Sequence, residues 1–151
     1  MVNSDVEQLG PQLAGRLTYL LKRALVDLEE LHAEHLAPSG VNVRELAVLL
    51  LLDGREPGSQ QQAALRLGVD RTSMVGLLDS LETQGLVARQ PDPGDRRRNA
   101  VGLTDAGRRT LASAVEASDA AEARLLADLS EAEAGQLRAL LTRVARSRPR
   151  S

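Results

Sequence analysis

The spacing of apolar positions divides the chain into stretches of helical period with one short segment of a different kind between them. Leu13, Leu17, Leu20, Leu21, Leu25, Leu28 and Leu31 predict a first long helix over roughly residues 6–36, its start delayed by Gly10-Pro11. Asn42 with Glu45 reads as a capping box and Val41 with Leu46 as a hydrophobic staple, so a helix begins there and runs to about Leu52, where Asp53-Gly54 stops it. Ser59 with Gln62 opens a short helix that Gly68 closes. Asp70 can cap the next one, whose Met74, Leu77, Leu78 and Leu81 fall at i, i+3, i+4 and i+7. After Gly85 the pattern changes. Leu86-Val87-Ala88-Arg89 and Ala100-Val101-Gly102-Leu103 are short apolar runs that read as paired strands, with Pro91, Pro93 and Gly94 marking the hairpin tip. Helical period returns from Thr104 to about Leu129, and Ser130 with Glu133 caps a last helix bearing Leu137, Leu140, Leu141 and Val144.

The segment after Asp70 carries the candidate chemistry. Opposite its apolar stripe lie Thr72, Ser73, Gly76, Asp79, Ser80 and Thr83, a polar face of low profile that lets a helix lie deep in a groove. Arg71 sits near its N-terminus, where free backbone N–H groups and the positive dipole end favour phosphate. Alone, this is equally an ordinary surface helix, because periodicity marks burial rather than ligand. The hairpin that follows favours the groove-binding reading. Its tip carries Asp92, Asp95, Arg96, Arg97, Arg98 and Asn99, and guanidinium groups on a thin hairpin suit the narrow minor groove with its enhanced negative potential. Gln60 and Gln61 begin the preceding helix, where phosphate contacts occur, although three glutamines are as readily a plain polar helix start. The short helix, a turn at Gly68-Val69-Asp70 and the candidate reading helix make a helix-turn-helix, and the hairpin is its wing. The expected fold class is therefore mainly α with a small β-hairpin wing, flanked by long N- and C-terminal helices.

In Asp70-Arg71-Thr72-Ser73, Leu81-Glu82 followed by Gly85-Leu86-Val87, Asp92-Pro93-Gly94-Asp95-Arg96-Arg97 and Leu103-Thr104-Asp105-Ala106-Gly107, the chain resembles the MarR (multiple antibiotic resistance regulator) family of winged-helix transcription factors. The resemblance is close over the middle two-fifths of the chain; the flanks share only long leucine-studded helices. It implies that the family's Asp-x-Arg wing motif falls on Asp95, Arg96 and Arg97, with Asp95 orienting an arginine and Arg97 entering the minor groove. Arg98 is the alternative for that role. It also implies a ligand-responsive repressor that binds a pseudo-palindromic operator as a homodimer. The family's effector cleft makes Arg16, Tyr19, His32 and His35 candidates for contacting an anionic or phenolic ligand. One departure is Gly76, where relatives often carry a basic or larger polar residue. A glycine there costs the helix about 1 kcal/mol relative to alanine and offers no donor, so direct base readout is expected to be thin.

The expected organisation is a single domain over 1–151, with a DNA-binding unit at 42–103 and dimerisation helices at 6–36 and 104–147. Leucine- and alanine-rich helices at both termini exceed what one small winged unit covers, and the resemblance favours a second copy of the chain as the cover. Composition narrows the alternatives. Tyr19 is the sole aromatic residue, so the core is aliphatic. The net charge of −2 excludes a general polyanion binder, yet residues 86–109 hold six arginines against three aspartates, which places the positive footprint on the wing. There is no cysteine, hence no disulfide and no thiol-based sensing. His32 and His35 with Glu29, Glu30 and Glu34 are read as a solvated helix flank rather than a metal site, and no cofactor is expected. No phosphate-cradling glycine loop or nucleophile motif occurs, so no enzyme is expected. A polar start and the absence of a membrane span lead to a cytoplasmic expectation. The expected partners are double-stranded DNA, a second copy of the chain and a small-molecule effector. The alternative reading is a winged-helix protein-interaction module that has lost DNA readout, with Gly76 as its best support.

Overall fold

The computed structural model describes residues 8–54, 58–92 and 94–146, with the side chains of residues 58–61, 92 and 95–99 outside the described part. The helix expected over 6–36 is interrupted. Pro11, pre-organised for a first helical turn, starts a short α1 (Pro11–Ala14), and α2 (Leu17–Leu36) follows only after Gly15 and Arg16. Glycine is a poor helix former, and the amides of Gly15 and Arg16 tighten the break by bonding back to Pro11 and Leu13. Residues 6 and 7, the start of the expected helix, lie outside the described residues.

From the end of α2 the chain follows the capping signals closely. Asn42 Oδ1 accepts from the Glu45 N–H at 2.9 Å and Glu45 Oε2 accepts from the Asn42 N–H at 3.0 Å, opening α3 (Val43–Leu52) with a reciprocal capping box. The short helix α4 (Gln60–Leu67) ends at Gly68, which holds φ at +64° as a left-handed stop. Asp70 then caps α5 (Arg71–Thr83). At its far end the Gly85 N–H bonds to the Glu82 carbonyl and the Leu86 N–H to the Leu81 carbonyl, a Schellman pair whose accompanying apolar residues, Leu81 and Leu86, are both buried.

A three-stranded antiparallel sheet follows in the order β1-β3-β2, where β1 is Gly58–Ser59, β2 is Val87–Asp92 and β3 is Asp95–Leu103. Two differences from the sequence expectation stand out. The hairpin arms run past the apolar residues as far as Asp92 and Asp95, and β1 lays Gly58 and Ser59 beside Val101 and Ala100. Two residues are too few to show an alternating pattern, so β1 has no sequence signature. Two more helices, α6 (Asp105–Leu125) and α7 (Glu131–Arg146), complete the described chain, and Ser130 and Glu133 form the expected reciprocal cap of α7.

By internal contacts the chain divides into two units, residues 32–120 and the terminal segments up to 31 and from 121. The first has an aliphatic core in which Leu36, Val48, Leu49, Met74, Leu78, Leu81 and Val101 are all almost completely buried. The second is different: Leu13, Leu17, Leu20, Leu21 and Leu25 from α1 and α2, and Leu140, Leu141 and Val144 from α7, remain exposed in the single chain. Among the described residues no helix is long and apolar enough to cross a membrane, and no cluster of side chains is suited to a metal ion.

Candidate nucleic-acid interface

The candidate reading helix α5 has a bare N-terminal half and a clamped C-terminal half. At the start, Asp70 Oδ1 accepts from the Ser73 N–H at 2.8 Å and Asp70 Oδ2 from the Ser73 hydroxyl at 2.7 Å. Both bonds favour the carboxylate and hold its pKa below the ordinary value. The Ser73 proton is thus committed to the cap, leaving its oxygen lone pairs as acceptors. Arg71 and Thr72 are exposed, and the Thr72 hydroxyl makes no hydrogen bond among the described residues. Gly76 is exposed as well, and a Cβ built on it meets nothing within 4 Å, so packing within the chain does not require glycine there. Val75 beside it is 38% exposed.

One turn further on, every polar group is engaged. Glu45, only 5% exposed, accepts from the Ser80 hydroxyl at 2.6 Å and from Gln84 Nε2 at 3.4 Å, while its other oxygen holds the α3 cap. Ser80 therefore faces α3 rather than the open side where helical periodicity puts it. Arg89 reaches from β2 to Asp79 Oδ1 at 2.6 Å and to Glu82 Oε1 at 3.1 Å, tying wing strand to helix. The hydrogen bond it donates to Asp79 is the main reason that the guanidinium pKa rises above its already high ordinary value. Thr83 Oγ1 donates to the Asp79 carbonyl. A third tie lies beyond the helix end. Thr104 Oγ1 donates to the Gly85 carbonyl at 2.6 Å and its N–H to the Leu86 carbonyl at 3.1 Å. Gly107 packs so closely that a Cβ on it would overlap the Leu86 carbonyl.

The wing differs from the expected turn in where its arginines stand. Pro91 is opposite Asn99, but Asp92 is opposite Asp95, so the register jumps and residues 96–98 have no opposite residue on β2. Arg96, Arg97 and Arg98 thus belong to β3, in a bulge beside the tip rather than in the turn itself. Bulges bend a strand and re-aim it. The side chains of Asp95, Arg96, Arg97 and Arg98 lie outside the described residues, as do those of Gln60 and Gln61, whose backbone forms the first turn of α4.

The remaining candidates are spread along the N-terminal helices. Arg16 is exposed in the break between α1 and α2, and Tyr19 is half-buried on α2. His32 is buried, with Nε2 2.9 Å from the Ser118 hydroxyl, and His35, one turn later, is half-buried and also engaged. No linear pattern marks Glu45 as a tie, or Arg89, Val75 and Arg44 as neighbours of the interface. Arg44 lines a cleft of about 550 Å³ together with Ala47, Asp70, Ser73 and Gly76, beside the reading helix. Glu45, Arg89 and Arg44 acquire their roles only when α3 or β2 is packed on α5, and Val75 is distinguished by its exposure alone.

A helix-turn-helix whose second helix is braced by an arginine-bearing hairpin defines the class of winged helix-turn-helix proteins. A model of the MarR family matches residues 39–98. Over 146 residues, 95% of this chain and 88% of the relative, the sequence is 33% identical to a putative transcriptional regulatory protein for the hcr operon of Thauera aromatica. Among solved structures, the transcriptional repressor CouR bound to a 23-mer DNA duplex is similar, with 37% identity, a TM-score of 0.84, and coverage of 89% of this chain and 96% of that one. CouR from Rhodococcus jostii RHA1 bound to p-coumaroyl-CoA is similar at 32% identity and a TM-score of 0.77, over 92% and 98% of the two chains. The chain belongs to the MarR family of winged-helix transcriptional regulators.

Proposed function

We propose that this protein is a cytoplasmic, non-enzymatic repressor that binds a pseudo-palindromic operator as a homodimer and is released by a small-molecule effector. The observation that supports this best is the division of α5, whose C-terminal half is anchored by Glu45, Arg89 and Thr104 while Arg71, Thr72, Val75 and Gly76 stay bare. A rigidly held helix with one open end suits insertion into a major groove. In this reading Arg71, Ser73, Gln60 and Gln61 contact phosphates or base edges at the groove mouth, and Thr72 and Gly76 approach the bases. Asp95 orients the wing arginines, and Arg97 enters the minor groove, flanked by Arg96 and Arg98. Arg44 adds a cation beside the reading helix.

The exposed leucines of α1, α2 and α7 supply the dimer surface, and a two-fold pair would set its reading helices about 34 Å apart, one turn of duplex. CouR has been solved bound to a DNA duplex and, in a separate structure, bound to p-coumaroyl-CoA, which supports an effector-controlled equilibrium here. An effector weakens DNA binding only by its differential affinity for the two states. Arg16, Tyr19, His32 and His35 remain the candidate effector contacts, and His32 already engages Ser118 through Nε2.

Gel retardation of fragments from the source genome across a salt series tests the proposal. Several arginines on phosphate make affinity fall steeply with salt through counterion release. Failure to retard any fragment at low salt would favour the protein-interaction module instead.

A further inference from the structure

We infer that the reading helix selects its site by contact with thymine 5-methyl groups, using the Val75 isopropyl group and the Thr72 methyl, with Gly76 admitting the close approach. The inference rests on the DNA-binding reading above. At about 100° per residue, Val75, Asp79, Thr72 and Gly76 fall within one outward arc opposite Met74 and Leu78, which are buried. The hydrogen-bonding capacity of this arc is small, the Thr72 hydroxyl being its one unengaged polar group among the described residues. Asp79 is held by Arg89, the Ser73 proton at its border belongs to Asp70, and Gly76 has no side chain. Arg71 supplies a fork only at the helix start. What the arc does offer is methyl groups.

Two features of the free protein point the same way. Valine and glycine are both poor helix formers, and here they are adjacent in the middle of a helix. Neither serves the interior: Val75 is 38% exposed and outside the apolar core, and Gly76 has open space where a Cβ would stand. An exposed glycine with no internal reason fits a surface that another backbone or base must approach. In the major groove the thymine C5 methyl is the apolar group that distinguishes its base pair, and small apolar side chains are its natural partners.

The test starts from a duplex selected by the full-length protein from a random pool and resynthesised with deoxyuridine replacing thymidine one position at a time. At one or two positions in each half-site, loss of the methyl should weaken binding about fourfold, the transfer free energy of one buried methyl-sized group expressed as affinity. Val75→Ala should bind the thymidine duplex more weakly yet no longer distinguish it from the deoxyuridine one, and Thr72→Ser should do the same at its own position. Gly76→Ala should raise Tm while lowering affinity. If the selected duplex binds equally with uridine at every position, the inference is overturned and the DNA-binding reading stands. If no duplex is selected, the reading beneath it falls as well.

Discussion

Thr104 Oγ1 donates a 2.6 Å hydrogen bond to the carbonyl oxygen of Gly85, the left-handed residue that ends the reading helix. The same hydroxyl oxygen accepts from the Gly107 N–H at 3.0 Å, so one side chain both caps α6 and fastens it to the end of α5. Leu86 lies between them, buried beneath Gly107. The end of α5 is therefore fixed by backbone contact as well as by side chains.

Gly107→Ala should be among the most damaging small substitutions in the chain. The added methyl would fall on the Leu86 carbonyl, which is backbone inside a packed core and has nowhere to swing. Overpacking of this kind costs about 1–3 kcal/mol. Urea unfolding should show a lower midpoint with an unchanged slope; an unchanged midpoint would mean that α6 shifts freely.

Arg89→Ala should weaken duplex binding while leaving the fold largely intact. The guanidinium joins β2 to Asp79 and Glu82 on α5, but both carboxylates are substantially exposed, so each pair contributes on the order of 0.2–1 kcal/mol to stability. Its importance lies in holding the wing at a fixed angle to the helix. A double-mutant cycle of Arg89→Ala with Asp79→Ala, read in duplex affinity, should show coupling; strict additivity would mean that the two act separately.

The chain reveals its local devices and conceals its tertiary ones. Asn42-Glu45, Asp70 and Ser130-Glu133 announce their helices because a cap depends on residues three apart, and the left-handed glycines at 68 and 85 mark ends for the same local reason. The break at Gly15-Arg16 is hidden because the leucine stripe keeps its period across it. Ser80 falls on the open face by periodicity, which gives a direction and not a partner, and that partner, Glu45, is 35 residues away. The arginine triplet is legible as chemistry but not as geometry, since a bulge is a property of two strands in register. Val75 stands on the outward side among polar residues without being polar, and only its exposure makes it noticeable.

Arg97→Ala should reduce operator affinity and flatten its dependence on salt, because a cation withdrawn from the duplex no longer displaces counterions. The slope of log affinity against log salt should decrease by about one for each phosphate that is no longer neutralised. Comparison with Arg98→Ala separates the two candidates for the minor groove, and an unchanged slope in both would remove the wing from the mechanism.

Acid should loosen the start of the reading helix. The Asp70 pKa is depressed in the folded state by its two bonds to Ser73, so the cap's contribution is complete above the unfolded carboxylate value, about 3.9, and is lost as pH falls through the lower folded value. Amide exchange at Ser73 should therefore accelerate as pH drops below about 4, after correction for intrinsic rates. Asp70→Asn, which caps without titrating, should show a flatter profile. Equal profiles would mean that the cap does not limit opening.

The exposed leucine face of the terminal helices gives the clearest test of assembly. Leu17 is 66% exposed and Leu25 56% in the single chain, and Leu140 and Val144 on α7 are more than half exposed. Truly solvated, such surface would invite nonspecific association, because apolar patches of this extent mark interaction sites. Leu21→Asp with Leu25→Asp should shift the sedimenting species from dimer to monomer, since a buried unpaired carboxylate is far costlier than an exposed one. The monomer should retain the fold of residues 32–120, whose core does not include these leucines. Its duplex affinity should fall by much more than half, because two linked half-sites bind with an effective concentration that one cannot supply. A variant that remained dimeric would place the subunit contact elsewhere, and removal of residues 1–16 would then show whether α1 contributes to it.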